Sequence, residues 1–214
     1  MSAPRSYNQR SKIPKVEFSR KVVHLSSLWM PISYNYFPEE LMLKIFAAIT
    51  LGLLVFDVLR ISSLQMGRKL REMLAILRLD SILFREREKN TLSGGAYMMI
   101  SATICATIFQ KNIFILSFLI LILSDTAAAI IGQKFGRRRI CGKTYIGSIA
   151  FFLCSIAIVL LSSSYVFNEN KDFLVAAVYA SVFATLVELV SNSLKIDDNF
   201  SIPVCFGALM WVIV

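Results

Sequence analysis

The stretch Ile113-Phe-Ile-Leu-Ser-Phe-Leu-Ile-Leu-Ile-Leu-Ser-Asp125-Thr-Ala-Ala-Ala-Ile-Ile131 decides how this chain folds. It holds a single charged residue. As an α-helix it would rise about 28 Å, close to the ~30 Å hydrocarbon core of a bilayer. Such a run reads as a transmembrane helix. A carboxylate inside one is costly, which makes Asp125 a functional candidate.

The same texture repeats outward from this segment. Besides 113–131, apolar segments bounded by charge occupy residues 22–37, 41–59, 93–109, 146–167, 173–190 and 200–214. The expected fold is all-α: a polytopic integral membrane protein of about seven transmembrane or re-entrant helices. Composition points the same way. Apolar residues make up 56% of the 214 and charged residues 17%, against about 45–50% and about 25% in soluble chains. The first segment is short and broken by His24, Pro31 and Asn35. The last reaches only about 22 Å, so it crosses with little tilt or dips into the bilayer. The polar residues 1–20 have no signal-peptide core, so the first span is expected to direct insertion. Cys105, Cys141, Cys154 and Cys205 form no CxxC or Cys/His cluster. They read as small hydrophobic residues rather than zinc ligands or disulfides.

Charge separates the connections into two sets. Segments 38–40, 110–112 and 168–171 are tiny. The tail 1–20 and the loops 60–92, 132–145 and 191–199 lie on the other side. With Lys21 at the tail's junction, twenty of the 23 Lys and Arg belong to that second set, and only Lys44, Lys111 and Lys171 fall opposite. The positive-inside rule then puts the N-terminus and the long loops in the cytoplasm. The expected organisation is a basic tail, 1–20, and one membrane-embedded domain, 21–214. The bilayer is the expected partner of this charge, and no nucleic acid is expected. Residues 67–83 carry Leu70, Met73, Leu74 and Leu77 at helical spacing, with Lys69, Arg71 and Arg78 beside them. Such an amphipathic helix lies along the inner leaflet or packs on the other loops.

Acidic residues gather at the same membrane face. Asp57 with Arg60, Asp125, Glu188 and Asp197-Asp198 all approach the ends of apolar segments on the charged side. Carboxylates at one depth beside many cations suit a metal–polyphosphate site, because Mg²⁺ takes one or two carboxylates plus substrate phosphates. Plainer readings stand beside this one. Asp57 and Arg60 can form a local surface pair, and the others can serve packing or loop solvation.

Three further stretches carry candidate chemistry. From Asp125 to Ser148 the chain places Gly132, Gly136, Gly142 and Gly147 among Lys134, Arg137, Arg138, Arg139 and Lys143. These glycines can take positive φ or leave room for a ligand, and the cations suit phosphates. The basic run also reads as a membrane anchor. Lys143-Thr144 lacks the upstream Gly-x-x-x-x-Gly-Lys of a P-loop. Arg20-Lys21-Val22-Val23-His24 holds the chain's single histidine. Arg85-Glu86-Arg87-Glu88 gives way abruptly to Ser93-Gly94-Gly95-Ala96-Tyr97.

In this order the pieces resemble the CTP-dependent lipid kinases: diacylglycerol kinase using CTP, phytol kinase and dolichol kinase, relatives of the phosphatidate cytidylyltransferases. The resemblance runs from about Lys15 onward. It rests on Arg20-Lys21 with His24, and on Arg85-Glu86-x-Glu88 with Leu92-Ser93-Gly94-Gly95-x-Tyr97. Its centre is Ser124-Asp125-Thr126-Ala127-Ala128-Ala129, Gly132, Lys134-Phe135-Gly136 and Gly142-Lys143-Thr144-x-x-Gly147-Ser148. It closes on Glu188, Asp197-Asp198-Asn199-Phe200 and Ile202-Pro203. Ile146 departs from the family, whose members often carry an acid there. The lack of a long N-terminal membrane region favours the diacylglycerol and phytol kinase branch.

The resemblance implies transfer of the γ-phosphate of CTP to the hydroxyl of a membrane lipid alcohol. Diacylglycerol is favoured, with phytol or a polyprenol such as dolichol as other acceptors. The implied cofactor is Mg²⁺, with Ca²⁺ as the other candidate ion, on Asp125 with Asp197 or Asp198. Asp125, Asp198, Glu188 and Lys143 are the expected catalytic residues. Arg20, Lys21, Lys134, Gly132, Gly136, Gly147 and Ser148 are expected at the nucleotide. His24, Asp57, Arg60, Glu88, Gly94 and Asn199 are further site candidates. A lipid-phosphate cytidylyltransferase is the alternative enzyme, although no histidine follows His24. A scaffold or small transporter with a proton relay of buried acids is the alternative outside catalysis.

The topology is directly testable. In a Cys141→Ser background, which removes the native cysteine of the 132–145 loop, a cysteine-reactive, membrane-impermeant reagent should label Arg68→Cys and Arg138→Cys only from the cytoplasmic side, and Lys111→Cys only from the other. Labelling of all three from one side would overturn the arrangement.

Overall fold

The computed structural model describes residues 15–62, 64–76, 84, 88, 90–166 and 171–214. Expectations concerning 1–14, 77–83, 85–87, 89 and 167–170 lie outside the described residues. The chain folds as an all-helical polytopic membrane protein. In lipid no water satisfies the backbone, so an apolar segment that closes its own hydrogen bonds is the stable form.

In chain order the helices are α1 (Lys15–Ser26), α2 (Trp29–Tyr36), α3 (Glu39–Ile61), α4 (Gln65–Ile76) and α5 (Gly94–Ile108). Next come α6 (Lys111–Phe135), α7 (Tyr145–Val166), α8 (Lys171–Leu194) and α9 (Asp198–Ile213). Four of these, α3, α6, α7 and α8, are long and apolar enough to cross a bilayer. α5 and α9 are shorter apolar helices.

The helix built on 113–131 is the centre of the bundle. In its most apolar window 67% of residues are buried by protein, against 17% for α3. α2, α7 and α9 pack on it, and α5 packs between α3 and α9. Its regular winding is interrupted once, by a π-helical turn at Ile120–Ser124 immediately before Asp125. Such turns recur at functional sites.

The first apolar segment, expected at 22–37, is not one helix. Pro31 has no N–H to give the carbonyl of Ser27. Met30 N–H donates there instead, at 2.9 Å, in the tighter i→i−3 pattern also made by Ser27 and Leu28. The result is two helices with a break at residues 27 and 28. α2 alone rises only about 12 Å. Together, however, α1 and α2 run antiparallel to α6. Lys21 lies beside Asp125, and Tyr34 lies against Phe114, with ring centroids 4.1 Å apart.

Two loops are also shorter than expected. α6 continues to Phe135, so Gly132 and Lys134 sit on the helix and not in the 132–145 loop. The remainder of that loop contains a two-stranded antiparallel ribbon, β1 (Arg139–Ile140) and β2 (Lys143–Thr144). Cys141 and Gly142 make its turn, both at positive φ (52° and 84°). This is the primed two-residue hairpin geometry, for which glycine is suited at the second position. α8 reaches Leu194, which leaves only a tight turn before α9.

Glycines let α6 and α7 approach closely. Thr144 Oγ accepts the Gly147 N–H at 3.2 Å and so caps α7. The Thr144 side chain fills the space beside Gly132 and Gly147. A Cβ on Gly147 would lie 3.0 Å from the Ala128 carbonyl oxygen. Gly147→Val should therefore destabilise the protein by about 1–3 kcal/mol through overpacking. Thermal unfolding in detergent would read this as a lower Tm, whereas Gly52→Ala, at a site with no atom within 4 Å of the added Cβ, should leave Tm nearly unchanged.

Candidate active site

A cavity of about 380 Å³ opens near the charged end of the bundle. α1 supplies Arg20, Lys21 and His24 to its wall, and the π turn of α6 delivers Asp125. Asp198 and Asn199 come from the start of α9. Glu88, Ser93, Gly94 and Gly95 come from the entry to α5. Residues about 180 positions apart in sequence meet here because the helix ends converge.

Ion pairs organise the charge. Lys21 Nζ donates to Asp125 Oδ2 at 2.8 Å. His24 Nε2 lies 3.9 Å from the same oxygen and 3.5 Å from the Leu121 carbonyl oxygen. Behind this wall, Lys143 on β2 reaches Asp198 Oδ2 at 2.7 Å and Glu188 Oε1 at 2.9 Å. Glu188 also accepts from Ser148 Oγ at 2.9 Å. Burial acts to lower the Lys143 pKa, but Asp198, Asp125 and Glu188 outweigh it and push the value above the ordinary range. For the lysine's own titration, the raised pKa means that its contribution is fully present below the unfolded-state value of about 10.4. That contribution is lost on the alkaline side as pH rises through the folded value, so Lys143 remains charged at neutral pH.

One oxygen in this network is left over. Asp198 Oδ1 is buried and accepts no hydrogen bond. A buried acceptor without a donor costs about 1–3 kcal/mol, which is tolerable where a ligand or proton completes it. Asp197 instead caps α9, accepting the Asn199 N–H at 3.0 Å. Asn199 ties α9 to α5 in turn: its Nδ2 donates to the Gly94 carbonyl at 3.3 Å, and its own carbonyl accepts from Ser101.

Asp57 and Arg60 lie outside the cavity wall and are not a surface pair. Their side chains are 0% and 4% exposed, and Arg60 Nε meets Asp57 Oδ1 at 3.0 Å. Asp57 Oδ2 accepts both the backbone N–H and the hydroxyl of Ser93, at 2.7 and 2.8 Å. Arg60 donates to the Thr91 carbonyl at 2.7 Å and lies over the Phe84 ring at 4.2 Å. The pair clasps the segment entering α5 onto the end of α3. Arg20 holds the other side of Phe84 through its carbonyl oxygen at 2.6 Å. α4 turns back on α3 at Gly67 and buries Leu74, while Met66, Met73 and Ile76 are exposed.

Of the residues singled out in the sequence, Arg20, Lys21, His24, Glu88, Gly94, Asp125, Asp198 and Asn199 share the cavity. Lys143, Glu188 and Ser148 stand behind it. Gly132, Gly136 and Gly147 surround Thr144 at the α6–α7 contact, and Lys134 is exposed with its ammonium near the Phe135 ring. Leu53, Phe56, Phe84 and Met98 line the cavity without having been singled out. Apolar residues in apolar segments carry no signal that distinguishes a binding wall from a lipid-facing one.

Fold and site together define an all-helical membrane protein with a compact cluster of acids and cations at one end. The chain is 35% identical over 196 residues to an uncharacterized protein of Rickettsia prowazekii, covering 89% of this chain and 91% of that one. It belongs to one family with that protein. It is 27% identical over 146 residues to CTP-dependent diacylglycerol kinase 1 of Schizosaccharomyces pombe, covering 61% of this chain and 65% of that one. Over 201 residues it is 29% identical to the chloroplastic phytol kinase 1 of Arabidopsis thaliana, covering 86% and 62%. The chain thus spans just under two thirds of the length of these two kinases. Relatives so named support the CTP-dependent lipid kinase family. No protein-family model and no solved structure matches the chain.

The clasp gives a stability prediction. Arg60→Met leaves the buried Asp57 carboxylate without its cation, and removing one partner of a buried pair costs about 3–5 kcal/mol. Thermal unfolding in detergent should show a large drop in Tm, several-fold more than for Lys44→Met, whose partner Glu40 is exposed.

Proposed function

We propose that this protein is a CTP-dependent kinase of a membrane lipid alcohol, with diacylglycerol favoured over phytol and polyprenols. The observation that carries this reading is the cavity itself. It joins Lys21, Arg20, Asp125 and Asp198 to an apolar flank of Leu53, Phe56 and Met98. A polyphosphate suits the first set and the neighbourhood of a hydrocarbon tail suits the second. The names of the similar kinases support CTP as the donor.

In the proposed reaction the lipid hydroxyl oxygen attacks the γ-phosphorus of CTP. A new P–O bond forms to the lipid, and the bond to the β–γ bridging oxygen breaks. CDP leaves with that electron pair. The hydroxyl proton passes to Asp198 Oδ1, the buried oxygen that has no donor. Glu188 is less suited, because both its oxygens are engaged, by Lys143 and Ser148. Lys143 is a positioning residue that holds Asp198 in place. Lys21 and Arg20 bind the phosphates and stabilise charge developing on the transferred group. Phosphoryl transfer depends chiefly on such positioning and electrostatics.

The residues present fit a divalent ion of the Mg²⁺ type. Among the described residues no cluster of three or more ligating side chains forms a cage. Mg²⁺ does not require one, since it takes one or two carboxylates and completes its shell with phosphates and water. Asp125, open to the cavity, is the carboxylate that would hold it. When bound, Mg²⁺ would neutralise phosphate charge. Ca²⁺ tolerates more ligands and looser geometry and fits less closely.

Purified protein in nanodiscs, given γ-labelled CTP and a panel of lipid alcohols, should transfer label and release CDP. Release of pyrophosphate would identify a cytidylyltransferase instead, and no transfer to any acceptor would remove the kinase reading. Asp125→Asn should lower kcat by about 10²–10³-fold, the scale seen when one preorganised electrostatic group is lost. A wild-type rate in that variant would take Asp125 out of the site.

A further inference from the structure

The cavity is too small to be the whole lipid site. At about 380 Å³ it is near the lower end of small-molecule sites. The end of a triphosphate and a reacting hydroxyl fill such a space. A long hydrocarbon tail has to leave it, and the wall chemistry shows where.

The charged residues occupy one end of the cavity, and the apolar ones run away from that end along two helices. On α3, Phe56 and Leu53 follow each other down one face below the Asp57–Arg60 clasp. Leu53 lies about 10 Å along the helix from Arg60. Val23 on α1 and Ser27, just past its end, continue below Lys21, and Ser27 lies about 9 Å beyond it. The two helices are carried by different neighbours. α1 docks on α6, whereas α3 docks on α5 and α2, and the cavity lies between them. At the charged end they are bridged by Phe84, whose carbonyl is held by Arg20 and whose ring meets Arg60 and stacks with Phe56. Below that bridge, Val22 on α1 and Trp29 on α2 are half-exposed, and α3 is the long helix least covered by protein.

We infer that the slot between α1 and α3, below the Phe84 bridge, is the lateral portal and tail groove for the lipid alcohol. This inference rests on the lipid-kinase reading and adds to it the route and the residues. The hydroxyl enters at the level of Lys21 and Asp125. The first part of the hydrocarbon chain lies on Leu53, Phe56 and Val23, and the rest passes Ser27 into the bilayer. The substrate then moves in the plane of the membrane, and its tail never crosses the polar end. Charged groups are excluded from the groove by its apolar walls, which leaves an uncharged head with one hydroxyl as the fitting class.

The test is photolabelling of the whole protein in nanodiscs. The probe is a long-chain alcohol with a diazirine in the third of the tail nearest the hydroxyl. Peptide mapping should find adducts on residues 22–29 and 49–56, suppressed by excess unlabelled alcohol. Suppressible adducts confined to other helices, or no suppressible adduct at all, would overturn the portal. Phosphoryl transfer is measured on the same preparation. Adducts at α1 and α3 without transfer would keep the portal and remove the kinase, and transfer with adducts elsewhere would do the reverse. As a second arm, Leu53→Trp should raise KM for a long-chain alcohol by about tenfold, equivalent to ~1.4 kcal/mol of lost tail contact. The same variant should raise KM for a short-chain analogue far less, and an equal rise for both would count against the groove.

Discussion

The bond between Lys21 and Asp125 is the interaction on which this architecture turns. A carboxylate inside the central apolar helix is unfavourable unless a cation reaches it. The cation comes from α1, a helix that by its own composition has little reason to sit against the bundle. The 2.8 Å contact therefore does two things at once. It satisfies the charge in α6, and it brings Arg20, His24 and the Val23–Ser27 face to the cavity edge. The π turn before Asp125 works with this pair. It sits on the same helix immediately upstream and delivers the carboxylate to the cavity wall.

A second set of charges is organised on the same principle. Lys143 stands between Asp198 and Glu188, held there by a two-residue hairpin whose turn needs positive φ at Cys141 and Gly142. Asp57 and Arg60 form a third set, outside the cavity wall, that fixes the segment entering α5. Low dielectric makes each pair strong and makes each unpaired member expensive. The bundle end is thus a set of interlocked clasps. The Asp198 oxygen without a donor is conspicuous against that background.

Much of this was legible in the residues. Apolar length and charge bounded the helices to within a few positions, and α3, α6 and α8 match their expected segments closely. Of the acids expected at one depth, Asp125 and Asp198 share the cavity and Glu188 joins Asp198 through Lys143, whereas Asp57 lies outside the cavity wall and Asp197 caps α9. Three features were not legible, for identifiable reasons. The break between α1 and α2 depends on how Pro31 redistributes local hydrogen bonds, and in an apolar run a proline can also simply kink a helix. Gly132 and Gly147 have the composition of a phosphate-binding loop. Only the packing shows Thr144 filling their space. Asp57 and Arg60 at i,i+3 look like any helix-surface pair, because their deciding partners, Ser93 and Thr91, are more than thirty positions away.

By itself the sequence determined the class of protein. A bilayer accepts only segments that are long, apolar and self-satisfied, and that requirement is written in composition and periodicity. The one-sided distribution of Lys and Arg, and the order of the acidic and glycine motifs, also need no coordinates. Tertiary structure alone decided which charges answer one another. Lys21 could have paired with any acid at its depth, and Lys143 with Asp125 directly. Pair choice depends on distances of a few ångströms between helices far apart in the chain, which local sequence does not encode. It also decided which apolar residues face a cavity and which face lipid, since both environments favour the same side chains.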